Sequence, residues 1–258
     1  MAGTALRRRL DSPGPSPGRS PWRTARLVDA VSETASARTL RFEVDDWAGH
    51  LAGQHVDVRL TAPDGYTAQR SYSIAAPANG SVVELTVQLM VDGEVSPFLV
   101  NELAIGDDLE LRGPLGGWFV WRPEQPEPAL LVAGGSGVAP LMAMVRARRQ
   151  ARRHTPFRLL YSVRTPADVF YAAELQRAPD AAEQLTLLYT RAAPEGTARP
   201  AHRIAAADLD SYGFPASETP TCYVCGPTPF VEIVADLLVA AGHDPAHIRT
   251  ERFGATGG

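Results

Sequence analysis

The spacing of the hydrophobic residues changes once along this chain, and that change limits the fold more than any other feature. From residue 22 to about 122, apolar side chains recur at every second position. Leu40, Phe42 and Val44 alternate with Thr39, Arg41 and Glu43, and Val56, Val58 and Leu60 alternate with His55, Asp57 and Arg59. Val83, Leu85 and Val87 alternate with Glu84, Thr86 and Gln88, and Leu109 and Leu111 with Asp108, Glu110 and Arg112. Successive side chains of a strand point to opposite faces, so each run predicts a strand with one apolar and one wet face. Turn signals such as Pro63-Asp64-Gly65 and Ala78-Asn79-Gly80 separate the runs. About six such strands predict a small antiparallel β-barrel. The stretch 96–103 is its one helical candidate, with Phe98, Leu99 and Leu103 inward.

Beyond a proline-rich connection at 123–128 the period is different. Short runs that are apolar throughout, at 129–133, 158–162, 185–189 and 221–225, alternate with helical stretches. Strands of that kind belong in a parallel sheet covered on both faces. The clearest helix is 229–241, where Phe230, Ile233, Val234, Leu237, Leu238 and Ala241 follow helical spacing. The chain therefore divides into a barrel domain at 22–122 and an α/β domain at 129–258. Its 258 residues, 45% apolar, suffice for two cores. Residues 1–21, with Pro13, Pro15, Pro17 and Pro21, predict a disordered tail. A net charge of -4 gives no reason to expect nucleic acid or anionic lipid as a partner. No apolar run approaches the length of a membrane span. Arg7, Arg8 and Arg9 lead into Pro and Gly rather than a signal segment, so the expected location is cytoplasmic.

Two stretches carry the chemistry. In Gln69-Arg70-Ser71-Tyr72-Ser73-Ile74, Arg70 and Tyr72 share one face of a strand, with Ser73 beside them. That suits an anion next to a flat ring, although a strand with one surface Arg and a half-buried Tyr reads the same way. The second stretch is Gly134-Gly135-Ser136-Gly137-Val138-Ala139-Pro140, at the end of the first parallel strand. Glycines there let the backbone approach a pyrophosphate, and the following helix start favours its charge. The two cysteines, Cys222 and Cys225, form a C-x-x-C on a buried strand and face opposite ways, which opposes a disulfide or shared metal. Two sulfurs cannot hold an iron-sulfur cluster, so none is expected on this chain.

Arg70-Ser71-Tyr72-Ser73, Gly93-Glu94-Val95-Ser96, Gly113-Pro114, Gly135-Ser136-Gly137, Cys225-Gly226-Pro227 and Glu251-Arg252-Phe253 occur in an order that resembles the ferredoxin-NADP(+) reductase-like flavoenzymes. The resemblance covers residues 22 to about 253. It implies FAD on the barrel and NAD(P)H across the carboxyl ends of the parallel strands, with hydride passing at the seam. Arg70 would pair with the FAD pyrophosphate, Tyr72 would stack on the flavin, and Ser71 and Ser73 belong to the same motif, Ser73 near the redox-active nitrogen. Gly93, Glu94, Val95 and Ser96 match a second FAD element, Ser96 doubling as a helix cap before Pro97. Gly226 and Pro227 would turn the strand so that Cys225 lies by the nicotinamide; plain packing competes as the role of Cys225. Glu251 would be the carboxylate near the nicotinamide and Phe253 the aromatic near the flavin, with residues 254–258 following.

No Asp or Glu directly follows the second parallel strand, which ends Tyr161-Ser162-Val163-Arg164. Arg164, Arg191 and Arg203 fall where relatives bind the extra phosphate, so the resemblance favours NADPH over NADH. The cluster Arg146, Arg148, Arg149, Arg152 and Arg153 reads as a helix end that complements its dipole, with a basic docking surface as the sharper alternative. The implied activity is an FAD-dependent, NAD(P)H-oxidising reductase without an iron-sulfur domain. Its electrons would leave to a separate protein such as a ferredoxin, a flavodoxin or an oxidoreductase subunit. A reductase of a small acceptor, free flavin or ferric chelate, and a non-catalytic nucleotide-binding module are the alternatives.

Overall fold

A computed structural model of the chain describes residues 20–177 and 181–253. The tail expected at 1–21 lies outside the described residues except for Ser20 and Pro21, and so do residues 254–258. Six strands form the first sheet: β1 (Trp22–Thr34), β2 (Ala37–Val44), β3 (His55–Thr61), β4 (Thr67–Ser73), β5 (Val82–Gln88) and β6 (Asp108–Leu115). They pair antiparallel in the order β4-β3-β6-β1-β2-β5. The two edges meet where Ile74 bridges Leu85 and the Ala75 amide donates to the Glu84 carbonyl, so the sheet closes into the expected barrel. The inward residues Leu40, Phe42, Val56, Val58, Val83 and Leu85 fill it. The expected helical stretch is present: Ser96 and Pro97 are helical and lead into one π-helical turn, Phe98–Glu102, whose Leu99 packs into the barrel core beside Leu103.

The expected wet face is missing from β5, where Glu84 and Thr86 are as buried as Val83 and Leu85. The reason is tertiary, because the second half of the chain packs on that face. Tyr171 donates its hydroxyl to Thr86 Oγ1 at 2.5 Å, and Arg146 donates to Glu84 Oε1 at 2.5 Å and the Ala75 carbonyl at 2.9 Å. Thr86 Oγ1 lies 2.8 Å from Thr39 Oγ1, which donates to Glu33 Oε1 at 2.7 Å; Glu33 Oε2 in turn accepts the Tyr171 amide at 2.8 Å. The hydrogen bonds thus run in a closed ring across the seam. Period-two polarity is a reading of one strand and cannot say what covers its polar side.

The second sheet is parallel, in the order β11-β10-β7-β8-β9. Its strands are β7 (Ala129–Gly134), β8 (Phe157–Val163), β9 (Glu183–Tyr189), β10 (Thr221–Pro227) and β11 (Ile248–Phe253). Helices α1 (Val138–Gln150), α2 (Ala172–Leu175), α3 (Ala206–Tyr212) and α4 (Thr228–Ala240) connect and cover them. Leu131, Ala133, Tyr161 and Cys225 face one core with α1; Leu130, Val132, Leu160 and Cys222 face the other with α4. The two thiols are thus free and on opposite faces, as expected. β11 was not among the predicted runs, since Arg249, Glu251 and Arg252 give an edge strand no continuous apolar stretch. On α4 the buried positions are Val231, Val234 and Leu238, while Ile233 is exposed. Phe230 and Leu237 of the predicted face also pack against this core, and Phe230 lies over Gly134 and Gly226.

Three of the five arginines in the cluster are engaged within the molecule, while Arg152 and Arg153 are exposed. Arg146 is spent on Glu84 and Glu174, and the fully buried Arg148 and its neighbour Arg149 both pair with Glu183. Arg148 and Arg149 do lie in the last turn, where a cation complements the helix dipole.

Candidate cofactor site

The flavin motif occupies β4, and its geometry follows from the register with β3. Arg70 stands opposite Val58, Tyr72 opposite Val56, and Ser73 opposite His55. Alternation puts Ala68, Arg70 and Tyr72 on one face, where Ala68 and Tyr72 pack against the barrel core. Ser71 faces the other way and donates to Asp57 Oδ1 at 2.6 Å, and Asp57 also holds Arg112 at 2.5 Å. The Ser71 hydroxyl is therefore committed to the barrel. Arg70 is exposed. Its guanidinium donates to the Gln69 carbonyl at 2.7 Å and lies 4.0 Å from Glu94 Oε2.

Glu94 belongs to the second motif, Gly93 to Ser96, which the barrel closure brings against β4. Glu94 also accepts the Tyr66 hydroxyl at 2.7 Å. Val95 is buried in the barrel core. Ser96 does not cap the helical turn, which has no side-chain cap. Its Oγ instead accepts the Met90 amide at 3.0 Å, closing the loop that carries Gly93.

In the parallel half the glycine turn is locked by backbone contacts. A β-carbon on Gly137 would stand 2.2 Å from the Cys225 carbonyl oxygen, and one on Gly226 would stand 3.0 Å from that of Gly134. Only glycine lets β7, the start of α1 and the end of β10 come so close. Gly135 is different. Its φ of +54° favours glycine, yet a β-carbon there meets nothing within 4 Å, which leaves the turn open on that side beside Ser136. α1 starts directly after this turn, an arrangement suited to a phosphate.

The halves meet at Glu251. Parallel pairing sets it beside Cys225, and Gly226 and Pro227 beside Arg252 and Phe253. Ser73 Oγ donates to Glu251 Oε1 at 3.5 Å, and His55 Nδ1 lies 3.8 Å from the same oxygen. Burial raises the Glu251 carboxyl to about 7, against the opposing pull of the Ser73 hydroxyl. Burial, and then Glu251 itself, pushes the Cys225 thiol well up, so it stays protonated. Glu251 Oε2 is buried with no hydrogen-bond partner among the described residues. A polar atom left in that state marks a place for a further group. His55 was not singled out from the sequence, where it read as one of the wet-face positions of β3. Its pairing opposite Ser73 was the available signal.

Arg164, Arg191 and Arg203 are exposed and lie at or beyond the carboxyl ends of β8 and β9. The Arg191 amide donates to the Arg164 carbonyl at 2.9 Å, so the first two are neighbours. Arg203 is held through its carbonyl by Arg199, which is clamped by Asp208 at 2.5 Å. Arg199, also unforeseen, shapes the loop that presents Arg203. None of the three exposed guanidiniums has an ion-pair partner among the described residues. Asp168, the nearest acid after β8, is turned onto Thr165, accepting its amide at 2.9 Å and its hydroxyl at 2.7 Å.

The donor set fits the two cofactors: cations and hydroxyls on the barrel, an open glycine turn on the sheet, and an orphaned carboxylate oxygen between them. Comparison with known proteins agrees. Residues 24–120 match the oxidoreductase FAD-binding domain family and residues 131–236 the oxidoreductase NAD-binding domain family. The chain belongs to the ferredoxin-NADP(+) reductase-like family. It is 32% identical over 240 residues to a glycine betaine monooxygenase reductase subunit of Chromohalobacter salexigens, covering 90% of this chain and 64% of that protein. It is 29% identical over 232 residues to the ferredoxin--NAD(P)(+) reductase component of naphthalene 1,2-dioxygenase/salicylate 5-hydroxylase systems of a Ralstonia species, covering 89% and 69%. The chain thus spans about two thirds of the length of these curated relatives. The fold matches the flavohem-like FAD/NAD-binding domain of a Vibrio cholerae nitric oxide dioxygenase with a TM-score of 0.77 at 24% identity, covering 92% of this chain and all of that one. No helix among the described residues is long and apolar enough to cross a membrane.

Proposed function

We propose that this protein is an NAD(P)H-dependent flavin oxidoreductase that hands electrons to a separate protein. The observation that carries the reading is the meeting of Ser73, Cys225 and Glu251 at the seam of an FAD-binding and an NAD-binding fold. Bound FAD supplies the ability to take two electrons as hydride and release them singly. The chain's own part is to bind, orient and exclude water. Arg70 meets the FAD pyrophosphate with backbone donors of Gly93 to Ser96, while Tyr72 and Ser73 lie along the flavin. Gly135, Ser136 and Gly137 take the NAD(P)H pyrophosphate, and Gly226 and Pro227 leave room for the nicotinamide beside Cys225. Glu251 and Ser73 hold a proton at the seam, and Phe253 borders the flavin.

The boundaries 22–122 and 129–258 divide these tasks between the two sheets. Arg164, Arg191 and Arg203, exposed and without an ion-pair partner among the described residues, favour NADPH over NADH, since a 2′-phosphate finds cations there. The acceptor is a ferredoxin or an oxygenase component, as the names of the relatives indicate for those proteins. The test is direct. The purified protein should bind FAD and turn yellow, and it should bleach without oxygen more readily with NADPH than with NADH. A protein that binds no flavin, or whose flavin neither nucleotide bleaches, ends the reading. Arg164→Ala should raise KM for NADPH about tenfold and leave NADH unchanged, the share of one charge-assisted phosphate contact.

A further inference from the structure

A cavity of about 400 Å³ opens at the amino ends of the parallel strands, lined by Arg158, Asp210, Phe214 and His243 together with Leu209 and Ala241. We propose that it binds an apolar α-amino acid of about the size of leucine, with Arg158 taking the carboxylate, Asp210 the ammonium and the apolar wall the side chain. The inference goes beyond the flavin and nucleotide reading and does not depend on it.

Three observations carry it. The first is position. Arg158 is the second residue of β8, Phe214 lies in the segment before β10, and His243 lies in the segment before β11. The glycine turn after β7 and Gly226-Pro227 of β10 are at the other end of the same sheet. Open α/β sheets take their nucleotides outside the carboxyl ends, so this cavity is a second site and not an extension of the first. Its volume falls within the range of about 300 to 1,000 Å³ usual for small-molecule pockets.

The second observation is charge. The lining holds one cation and one anion, and no ion pair among the described residues occupies either. Asp210 is exposed on α3. Arg158 is fixed in place, since its Nη1 donates to the Gly213 carbonyl and its guanidinium lies 4.2 Å from the centre of the Phe214 ring. Its Nε and Nη2 have no partner among the described residues. His243 is buried, and burial lowers its pKa, so the imidazole is neutral at pH 7. Its Nδ1 lies 3.8 Å from Cys222 Sγ, which leaves Nε2 as a neutral polar contact beside the two charges. A phosphate in this cavity would meet Asp210, and a plain amine would meet Arg158. A zwitterion gives each charge a partner. The third observation is the wall. Leu209, Phe214 and Ala241 offer an apolar surface that a hydrocarbon side chain can cover.

The experiment is calorimetric titration of leucine into the full chain at pH 7. Leucine should bind saturably at one site. Isocaproate, which lacks the ammonium, and isoamylamine, which lacks the carboxylate, should each bind at least tenfold more weakly, the share of one charge-assisted contact. Asp210→Asn should weaken leucine about tenfold and leave isocaproate within about twofold of the parent. Because Asp210 is exposed and unpaired, this variant should melt at the parent's temperature, whereas Arg158→Gln also removes the Gly213 contact. Absence of saturable leucine binding, isocaproate binding as tight as leucine, or an Asp210→Asn chain that holds leucine unchanged each overturns the proposal. FAD and NAD(P)H binding, measured on the same samples, report separately on the oxidoreductase reading.

Discussion

The two halves of this molecule prepare for a phosphate in opposite ways. On the barrel the cation, the ring and the hydroxyl are side chains on an open strand, and among the described residues Arg70 is held only by the Gln69 carbonyl and a 4.0 Å approach from Glu94. On the parallel sheet the work is done by backbone, with Gly137 and Gly226 set so that a β-carbon would stand 2.2 and 3.0 Å from a neighbouring carbonyl oxygen. A side-chain site can be changed one contact at a time. A backbone site fails as a unit.

The largest effect is expected where the halves are tied. Arg146→Ala takes from the buried Glu84 carboxylate the cation that reaches it from the other half, leaving it Arg41 alone at 2.8 Å, and should lower stability by about 3 kcal/mol in urea unfolding. A loss below 1 kcal/mol would mean the halves do not depend on each other. Within the sheet, Gly137→Ala drives a β-carbon to 2.2 Å from the Cys225 carbonyl and should cost about 3 kcal/mol. Gly135→Ala meets only its own positive φ and should cost about 1 kcal/mol. If the two cost the same, the backbone account of this site is wrong.

At the seam the effect is smaller and depends on pH. The Glu251 carboxyl sits at about 7 when folded against an ordinary 4.5, so the folded state holds the proton more tightly. The stability this contributes is complete below pH 4.5 and is lost as pH rises through 7, on the order of 2 kcal/mol. Glu251→Gln should flatten that slope in thermal unfolding followed between those limits. A wild-type profile that rises over the same range would contradict the burial of this group. Smallest of all, Arg70→Ala should weaken FAD about tenfold in a fluorescence titration while leaving the melting curve of the flavin-free chain unmoved. A fall in that melting temperature would show Arg70 to be part of the scaffold.

How much of this was legible in the chain follows the same division. Alternation along β2, β3, β5 and β6 and the apolar runs of β7 to β10 are local signals, and they predict both sheets. The position of Arg70, Tyr72 and Ser73 on β4 follows from period two alone. What was not legible depends on which surface meets which. Glu84 and Thr86 read as solvated until Arg146 and Tyr171 cover them. The arginines at the end of α1 were legible as a helix end, but their pairing with Glu174 and Glu183, from other elements, was not. β11 is a strand because β10 offers it an edge, and His55 joins the site because β3 pairs with β4 in that register.

The ring of hydrogen bonds through Glu33, Thr39, Thr86 and Tyr171 bears on how such proteins can be recombined. It draws on β1, β2, β5 and the segment before α2, so its members are scattered across the chain yet satisfy one another. A chimera that joins this barrel to the nucleotide-binding half of a relative would inherit only part of the circuit. Each severed bond would strand a polar atom in a dry interface. Successful grafts should therefore be those that transplant Tyr171 and Arg146 together with their barrel partners, which makes the seam, rather than either half, the natural unit of exchange.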